Sequence, residues 1–205
     1  MRERAPTRKL SPGALLPRQL LEYIHGAPVP APDAGARIHL QLRRFAGCPV
    51  CNLHLQSFAR RHAELTQAGV REVVVFHSTA EELRVHAGGL PFAVVADPDK
   101  RLYAALGAES APRALLDPRA WWPILRAVLH GLASLLRKGG PIPPLNPKGG
   151  RLGLPADFLI ARDGRVLACK YGQHVDDQWS VDELLALAAS PETRNVDLEA
   201  RTAGA

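Results

Sequence analysis

Three apolar runs of strand length, each followed by a helix-period segment, constrain this chain more than any other feature. Ile38 to Phe45 alternates Ile38, Leu40, Leu42 and, less cleanly, Phe45 against His39, Gln41 and Arg43, a strand pattern. Gly47-Cys48-Pro49 then opens a helix, since the missing N–H of proline is no loss in a first helical turn. From there Cys51, Leu55, Phe58, His62 and Leu65 recur by three or four residues and share one buried face, with Gly69 as the C-terminal cap. Val73 to Phe76 is a continuous apolar run flanked by charge, as a central parallel strand reads. Ser78-Thr79-Ala80-Glu81 reads as a capping box that starts a second helix, which Gly88-Gly89 ends. Phe92 to Ala96 is a third strand, and Asp97-Pro98-Asp99 turns it into a helix that runs through Leu106 and stops at Gly107. Helical crossovers between successive strands demand a parallel sheet, so the predicted class is α/β.

The regularity breaks over about residues 108–153. Ala120 to Lys138 is a helical pattern with Trp121 and Trp122 near its start and Arg126, His130 and Arg137 off its most apolar side. It is read as cover for a sheet face, with a dimer contact or a membrane-surface helix as alternatives; its internal charges exclude a bilayer span. A Pro/Gly-rich loop follows at residues 139–150. Phe158-Leu159-Ile160, Asp163-Gly164 and Val166 to Tyr171 form a hairpin by their turn chemistry, and Ser180-Val181-Asp182-Glu183 is a capping box for a last helix. The expected organisation is an arm with one small element at 1–37, a domain at 38–190 carrying the helical insert, and a polar, mobile tail at 191–205.

Composition narrows the function classes. The chain has 205 residues, 46% apolar and 22% charged, which excludes a disordered chain, a collagen and a small disulfide-stapled scaffold. Its net charge of +6 comes mostly from arginines scattered along the chain. No basic stripe with interleaved aromatic rings is legible, so no nucleic-acid partner is expected. The N-terminus lacks a secretory pattern, no apolar stretch is long enough to span a membrane, and the three cysteines cannot close a disulfide framework. A cytoplasmic location is the expectation, and neither membrane-surface binding nor a metal is expected.

The chemistry rests on Cys48-Pro49-Val50-Cys51, placed between a strand and a helix. At the helix N-terminus, free N–H groups and the macrodipole favour a Cys48 thiolate. Cys51 lies one turn on and faces inward, so the outer sulfur is the candidate nucleophile and the inner one the candidate resolving thiol. Two other readings compete. The pair is half of a zinc site completed by Cys169 and a histidine such as His174, although no second CxxC or paired histidine supports it. Alternatively both are inert core cysteines, which suits Cys51 better than Cys48 beside Gly47.

The segments FAGCPVCNLHLQSF, PFAVVADPDKRLY and GLPADFLIARDGRVL resemble the peroxiredoxin-like branch of the alkyl hydroperoxide reductase/thiol-specific antioxidant family, over about residues 38–189. The resemblance implies a thioredoxin-like fold, with a central mixed sheet flanked by helices and the helical insert before the final hairpin. It also implies that Cys48 holds the attacking position and that Leu154-Pro155 matches the proline that is cis and faces the cysteine pair. The chain departs from peroxiredoxins proper. Gln41 stands where they carry a proline and Phe45 where they carry a threonine or serine, so a hydroxyl that helps polarise the O–O bond is missing. A slower peroxide reaction or a different oxidant is therefore expected. Gly47 replaces the tryptophan that precedes the first cysteine in thioredoxins.

The expected function is thiol-dependent reduction of hydroperoxides or other O–O-bonded substrates, with Cys48 and Cys51 catalytic. Pro155, Arg44 and His77 are candidate substrate-binding residues. Arg43 and Arg44 are adjacent on a strand, so at most one faces the site. His77 ends a central strand and is read first as the residue leading into the next helix, second as a neighbour of Cys48. Cys169 is read as a core or sheet-surface residue, and His174, Asp176 and Asp177 as a polar loop. No GxGxxG follows a strand, so no nucleotide cofactor is expected and reducing equivalents come from an external thiol partner. A homodimer is allowed. The alternatives are a protein disulfide reductase with the same cysteine roles, or a non-catalytic redox-sensing module that docks a partner through its Trp-rich insert.

Overall fold

In the computed structural model, residues 9–138, 147, 149–191, 193 and 196 are described. The arm carries two strands, β1 (Gln19–Leu21) and β2 (Val29–Ala31), paired antiparallel, where a single small element was expected. Two turn-chemistry residues, Gly26 and Pro28, lie between them and allow the chain to fold back. This hairpin is tied to the domain by the Ile24 N–H, which donates to the Val94 carbonyl at 3.0 Å.

The domain runs β3 (Arg37–Arg43), α1 (Pro49–Arg60), α2 (His62–Gln67), β4 (Val70–Phe76), α3 (Ala80–His86), β5 (Ala93–Ala96), α4 (Arg101–Ala105), α5 (Arg113–Leu116), α6 (Pro118–Lys138), β6 (Ala156–Ile160), β7 (Val166–Tyr171) and α7 (Val181–Ala189). The sheet order is β5-β4-β3-β6-β7. β3, β4 and β5 are parallel, as their helical crossovers require, and β6 and β7 return antiparallel. Leu40 sits opposite Val73 on one side and Phe158 on the other, which places β3 at the centre.

The sheet has two buried faces. Ile38, Leu40 and Leu42 pack with Val73, Val75 and Phe158 beneath the arm hairpin and α4. Across the sheet, Val74, Phe76 and Leu159 meet Cys51, Leu55 and Phe58 of α1, Leu83 of α3 and Leu184 of α7. Alternation of the kind seen in β3 ordinarily marks a strand with one wet face. Here all seven residues are buried, because α1 and its neighbours cover the side that carries His39, Gln41 and Arg43.

Other expectations change in detail. The helix that follows the cysteine motif breaks at Arg61, which leaves the helical basin at φ −109° and ψ 19° and ion-pairs with Glu64 and Asp182. The capping box before α3 is Thr79 with Glu82, one residue later than the pattern implied. Ser78 is occupied elsewhere: its hydroxyl accepts the Ala46 N–H at 2.9 Å and fastens the end of β4 to the loop before α1. The box before α7 is Ser180 with Glu183, as expected. α6 does not cover the sheet; it packs on α1, with Ala120 and Ala127 buried. The cis X-Pro bond found among the described residues is Ala31–Pro32, whereas Leu154–Pro155 is trans, running extended straight into β6. Most of the expected Pro/Gly loop and nearly all of the tail lie outside the described residues. Among those described, no helix is long and apolar enough to cross a membrane.

Candidate active site

The β3–α1 connection builds the site. Gly47 has φ +78°, a left-handed conformation that glycine adopts without a Cβ penalty. It lets the chain turn so that Cys48 becomes the N-cap of α1, its own N–H donating to the Phe45 carbonyl at 3.1 Å. Pro49 occupies the first turn, and the backbone N–H groups of Val50 and Cys51 at the helix start favour negative charge on the Cys48 sulfur. Arg44, buried beside the turn, brings Nη1 to 3.6 Å from the same sulfur, and its Nη2 donates to the Arg151 carbonyl. Arg43, the last residue of β3, turns instead to Gln41 and Asp157.

Both cysteines are free thiols and buried. Burial pushes the Cys48 thiol up, yet the bond from Cys51, the Arg44 guanidinium and the two backbone N–H groups outweigh it and lower the group to about 6. Cys51 moves the other way. Burial raises it, and the bond to Cys48 and the developing charge there raise it further, well above an ordinary thiol. One sulfur is held as thiolate at neutral pH and its neighbour as a thiol. That division of labour suits attack followed by resolution.

His77 follows β4, and its N–H donates to the Arg44 carbonyl at 3.1 Å. Burial, then Lys100 and Arg44, depress its imidazole to about 4, so it is neutral. Its ring meets the edge of Tyr103 with centroids 5.6 Å apart, and neither ring nitrogen has a hydrogen-bond partner among the described residues. Gly149 and Gly153 lie on this ring: a Cβ at Gly149 would fall 1.9 Å from Nδ1, and one at Gly153 would fall 3.0 Å from Nε2 and 3.7 Å from Arg44 Cγ. Lys100 holds the same loop, Nζ donating to the Gly149 carbonyl at 2.6 Å. Arg44 and His77 therefore lie buried side by side against Gly153, with Gly149 on the far side of the imidazole.

Leu154 packs in the same apolar cluster as the two cysteines. The Pro155 ring lies against Gly172, whose N–H donates to the Pro155 carbonyl at 2.9 Å. Cys169 is not brought to the pair. It packs toward the other sheet face, its Sγ 3.4 Å from the Leu10 carbonyl. His174 accepts the Asp176 N–H at 3.3 Å, Asp177 pairs with Lys170 at 3.0 Å, and none of the three joins a metal-holding cluster among the described residues.

Beneath α1 lies a polar group that the sequence reading missed. His39 Nδ1 is 2.8 Å from Glu72, and its Nε2 is 3.1 Å from Asp157. Arg43 reaches Asp157 at 2.7 Å and Gln41 at 2.6 Å, and Gln41 in turn donates to Glu72. Burial disfavours charge on His39, but the two carboxylates prevail and raise it to about 9. A cation at His39 and another at Arg43 thus face two carboxylates. The available signal was that Glu72 and Asp157 each interrupt an apolar run at the register positions opposite His39 and Gln41. Alongside α1, a cleft of about 370 Å³ runs from Val50 inside the motif past His54 and Ser57, with Trp122 and Arg126 of α6 on its other wall.

The sheet order and the cysteine turn define a thioredoxin-like thiol-redox fold. Solved structures agree in architecture. Peroxidoxin BcpB from Mycobacterium tuberculosis is 13% identical with a TM-score of 0.57, over 87% of this chain and 96% of that one. Peroxiredoxin Q from Xanthomonas campestris is 16% identical with a TM-score of 0.56, over 92% and 99%. A Chlorobium tepidum protein proposed to be the thiol:disulfide interchange protein DsbE is 18% identical with a TM-score of 0.52, over 88% and 100%. Residues 57–174, more than half of the chain, match the family described as AhpC/TSA antioxidant enzyme. The chain belongs to that family, and with it to thiol-dependent redox chemistry. The matched span begins beyond Cys51, so the cysteine roles rest on the geometry. Comparison with curated protein sequences gave no match.

Proposed function

We propose that the protein reduces hydroperoxides or related O–O-bonded substrates through Cys48, with Cys51 as the resolving thiol. The observation that carries this reading is the pairing, one helical turn apart, of a Cys48 thiol lowered to about 6 with a Cys51 thiol raised well above the ordinary range. The Cys48 thiolate attacks one peroxide oxygen. The O–O bond breaks, the alcohol departs with a proton, and Cys48 becomes a sulfenic acid. Cys51 then attacks that sulfur, water leaves, and the Cys48–Cys51 disulfide forms. An external dithiol of the thioredoxin type restores both thiols and is itself oxidised to a disulfide.

Arg44 stabilises the thiolate, and Arg44, His77 and Pro155 are the proposed lining for the substrate. Cys48 is 1% exposed, so access to its sulfur requires a local movement of the residues that cover it. A second reading, attack on a protein disulfide, has the support of the CxxC adjacency itself. It uses the same sulfurs, with a mixed disulfide in place of the sulfenic acid.

The discriminating experiment mixes fully reduced protein with a hydroperoxide and follows disulfide formation by intact mass. Rapid loss of two hydrogens, abolished in Cys48→Ser and replaced by a trapped sulfenic acid in Cys51→Ser, is expected. Formation no faster than oxidation of an ordinary free thiol removes the peroxidase reading and leaves disulfide exchange.

A further inference from the structure

α6 presents its large apolar side chains away from the protein. Toward α1 it offers small residues, with Ala120 and Ala127 buried. Trp122 is 73% exposed, Leu129 58% and Leu136 82%, and Trp121, Leu125 and Leu132 are exposed beside them. At 100° per residue these six positions fall in one continuous arc. Arg126 and His130, also exposed, border that arc. Between Pro118 and Lys138 there is no Asp or Glu, against three arginines, one lysine and one histidine.

We propose that this face docks on an anionic lipid surface, with the helix axis lying in the plane of the interface. Three properties select lipid over other occupants. The arc is hydrocarbon and indole with no polar residue to orient a protein partner, whereas Trp and Leu above a cationic flank are what the boundary between headgroups and acyl chains takes up. A helix without a single carboxylate also opposes a second copy of itself, because self-association would bring like-charged flanks together. Among the described residues no helix is long and apolar enough to cross a bilayer, so a lipid contact through this face runs along the helix rather than through the membrane. Docked this way, the cleft walled by Trp122 and Arg126 opens at the lipid surface, one end of it reaching Val50 of the cysteine motif. The proposal stands whether the site reduces peroxides or disulfides.

The test is flotation of the full chain with vesicles of phosphatidylcholine alone and of phosphatidylcholine mixed with phosphatidylglycerol. Partition onto the anionic vesicles is expected to exceed that onto neutral ones more than about tenfold and to weaken with salt. Tryptophan emission shifts to the blue on binding, a change that reports on Trp121 and Trp122 because Trp179 is already buried. Leu129→Glu/Leu132→Glu abolishes both signals, and Trp122→Ala weakens them; all three positions are exposed, so circular dichroism is unchanged. Absence of partition on either vesicle overturns the proposal. So does wild-type binding by the Leu129→Glu/Leu132→Glu protein, or a dimer in sedimentation that this variant dissociates while vesicles bind nothing.

Discussion

The two faces of the central sheet are assembled on opposite principles, although β3 supplies both. Beneath the arm hairpin and α4, Ile38, Leu40 and Leu42 lie in a cluster of hydrocarbon and tyrosine rings with no charged side chain among its members. Beneath α1 and α7, the intervening residues His39, Gln41 and Arg43 meet two carboxylates, while the cysteine pair sits at the same helix's start. Hydrocarbon packing stabilises without fixing register closely. A buried ionic group does the reverse: its desolvation offsets much of its attraction, but a misplaced partner leaves a bare charge. A one-residue slip of β6 would carry Asp157 into the hydrocarbon face. The polar face therefore holds the strands that aim Arg44 and Cys48, and the apolar face supplies stability away from the chemistry.

The largest expected effect comes from removing the shared carboxylate. Asp157→Leu leaves His39 and Arg43 facing Glu72 alone in a dry interior, and urea unfolding should show a loss of about 3–5 kcal/mol. Leu40→Ala on the opposite face, a cavity in hydrocarbon, should cost about 2–5 kcal/mol. A loss below about 0.5 kcal/mol for Asp157→Leu, the size of a surface change, would break the distinction between the faces.

The two losses should part company with pH. His39 is raised from 6.5 unfolded to about 9 folded, so its protonation stabilises the fold. That contribution is fully present below about pH 6.5 and is lost as pH rises through about 9, with an upper limit of about 3 kcal/mol. Asp157 shifts the opposite way, below the usual carboxylate range, so its contribution fades on acidification. The gap in urea midpoint between wild type and His39→Leu should therefore narrow from neutral to alkaline pH, while that between wild type and Leu40→Ala stays constant. Every one of these proteins carries Cys48, whose lowered thiol adds stability over the same range and cancels in the gaps. A gap between wild type and His39→Leu that stays constant across this range would show that His39 is not charged in the folded state.

The parallel strands, the cysteine turn and the second capping box were legible because each is written in local residues: apolar runs, Gly47 before Cys48-Pro49, Ser180 three before Glu183. The two faces were not equally legible. Period-two alternation states that His39, Gln41 and Arg43 share a side, yet whether water or a helix meets that side depends on partners more than 100 residues away, Asp157 among them. The same limit hid the orientation of α6. Its apolar pattern implies a buried face, and only packing showed that small residues face α1. Leu154-Pro155 departs from the family pattern, since the bond is trans where the resemblance implied cis.

The smallest expected effect tests a buried hydroxyl on the hydrocarbon face. Tyr103 projects from α4, and its hydroxyl donates toward the carbonyls of Arg43 and Val75, 2.9 Å from the latter. Burial holds the phenol well above its ordinary range, so it stays a neutral donor. It joins the carboxyl ends of β3 and β4 next to Arg44 and His77, two of the residues proposed to line the substrate. Tyr103→Phe keeps the ring and its packing and removes only this donor, so the loss should be about 1 kcal/mol, pH-independent over the range in which His39 titrates. If the hydroxyl also sets the reach of Arg44, the thiol of Cys48 in Tyr103→Phe will titrate above its wild-type position of about 6, read by the pH profile of alkylation. An unchanged alkylation profile with the same 1 kcal/mol loss confines Tyr103 to stability and leaves the chemistry wholly to the polar face.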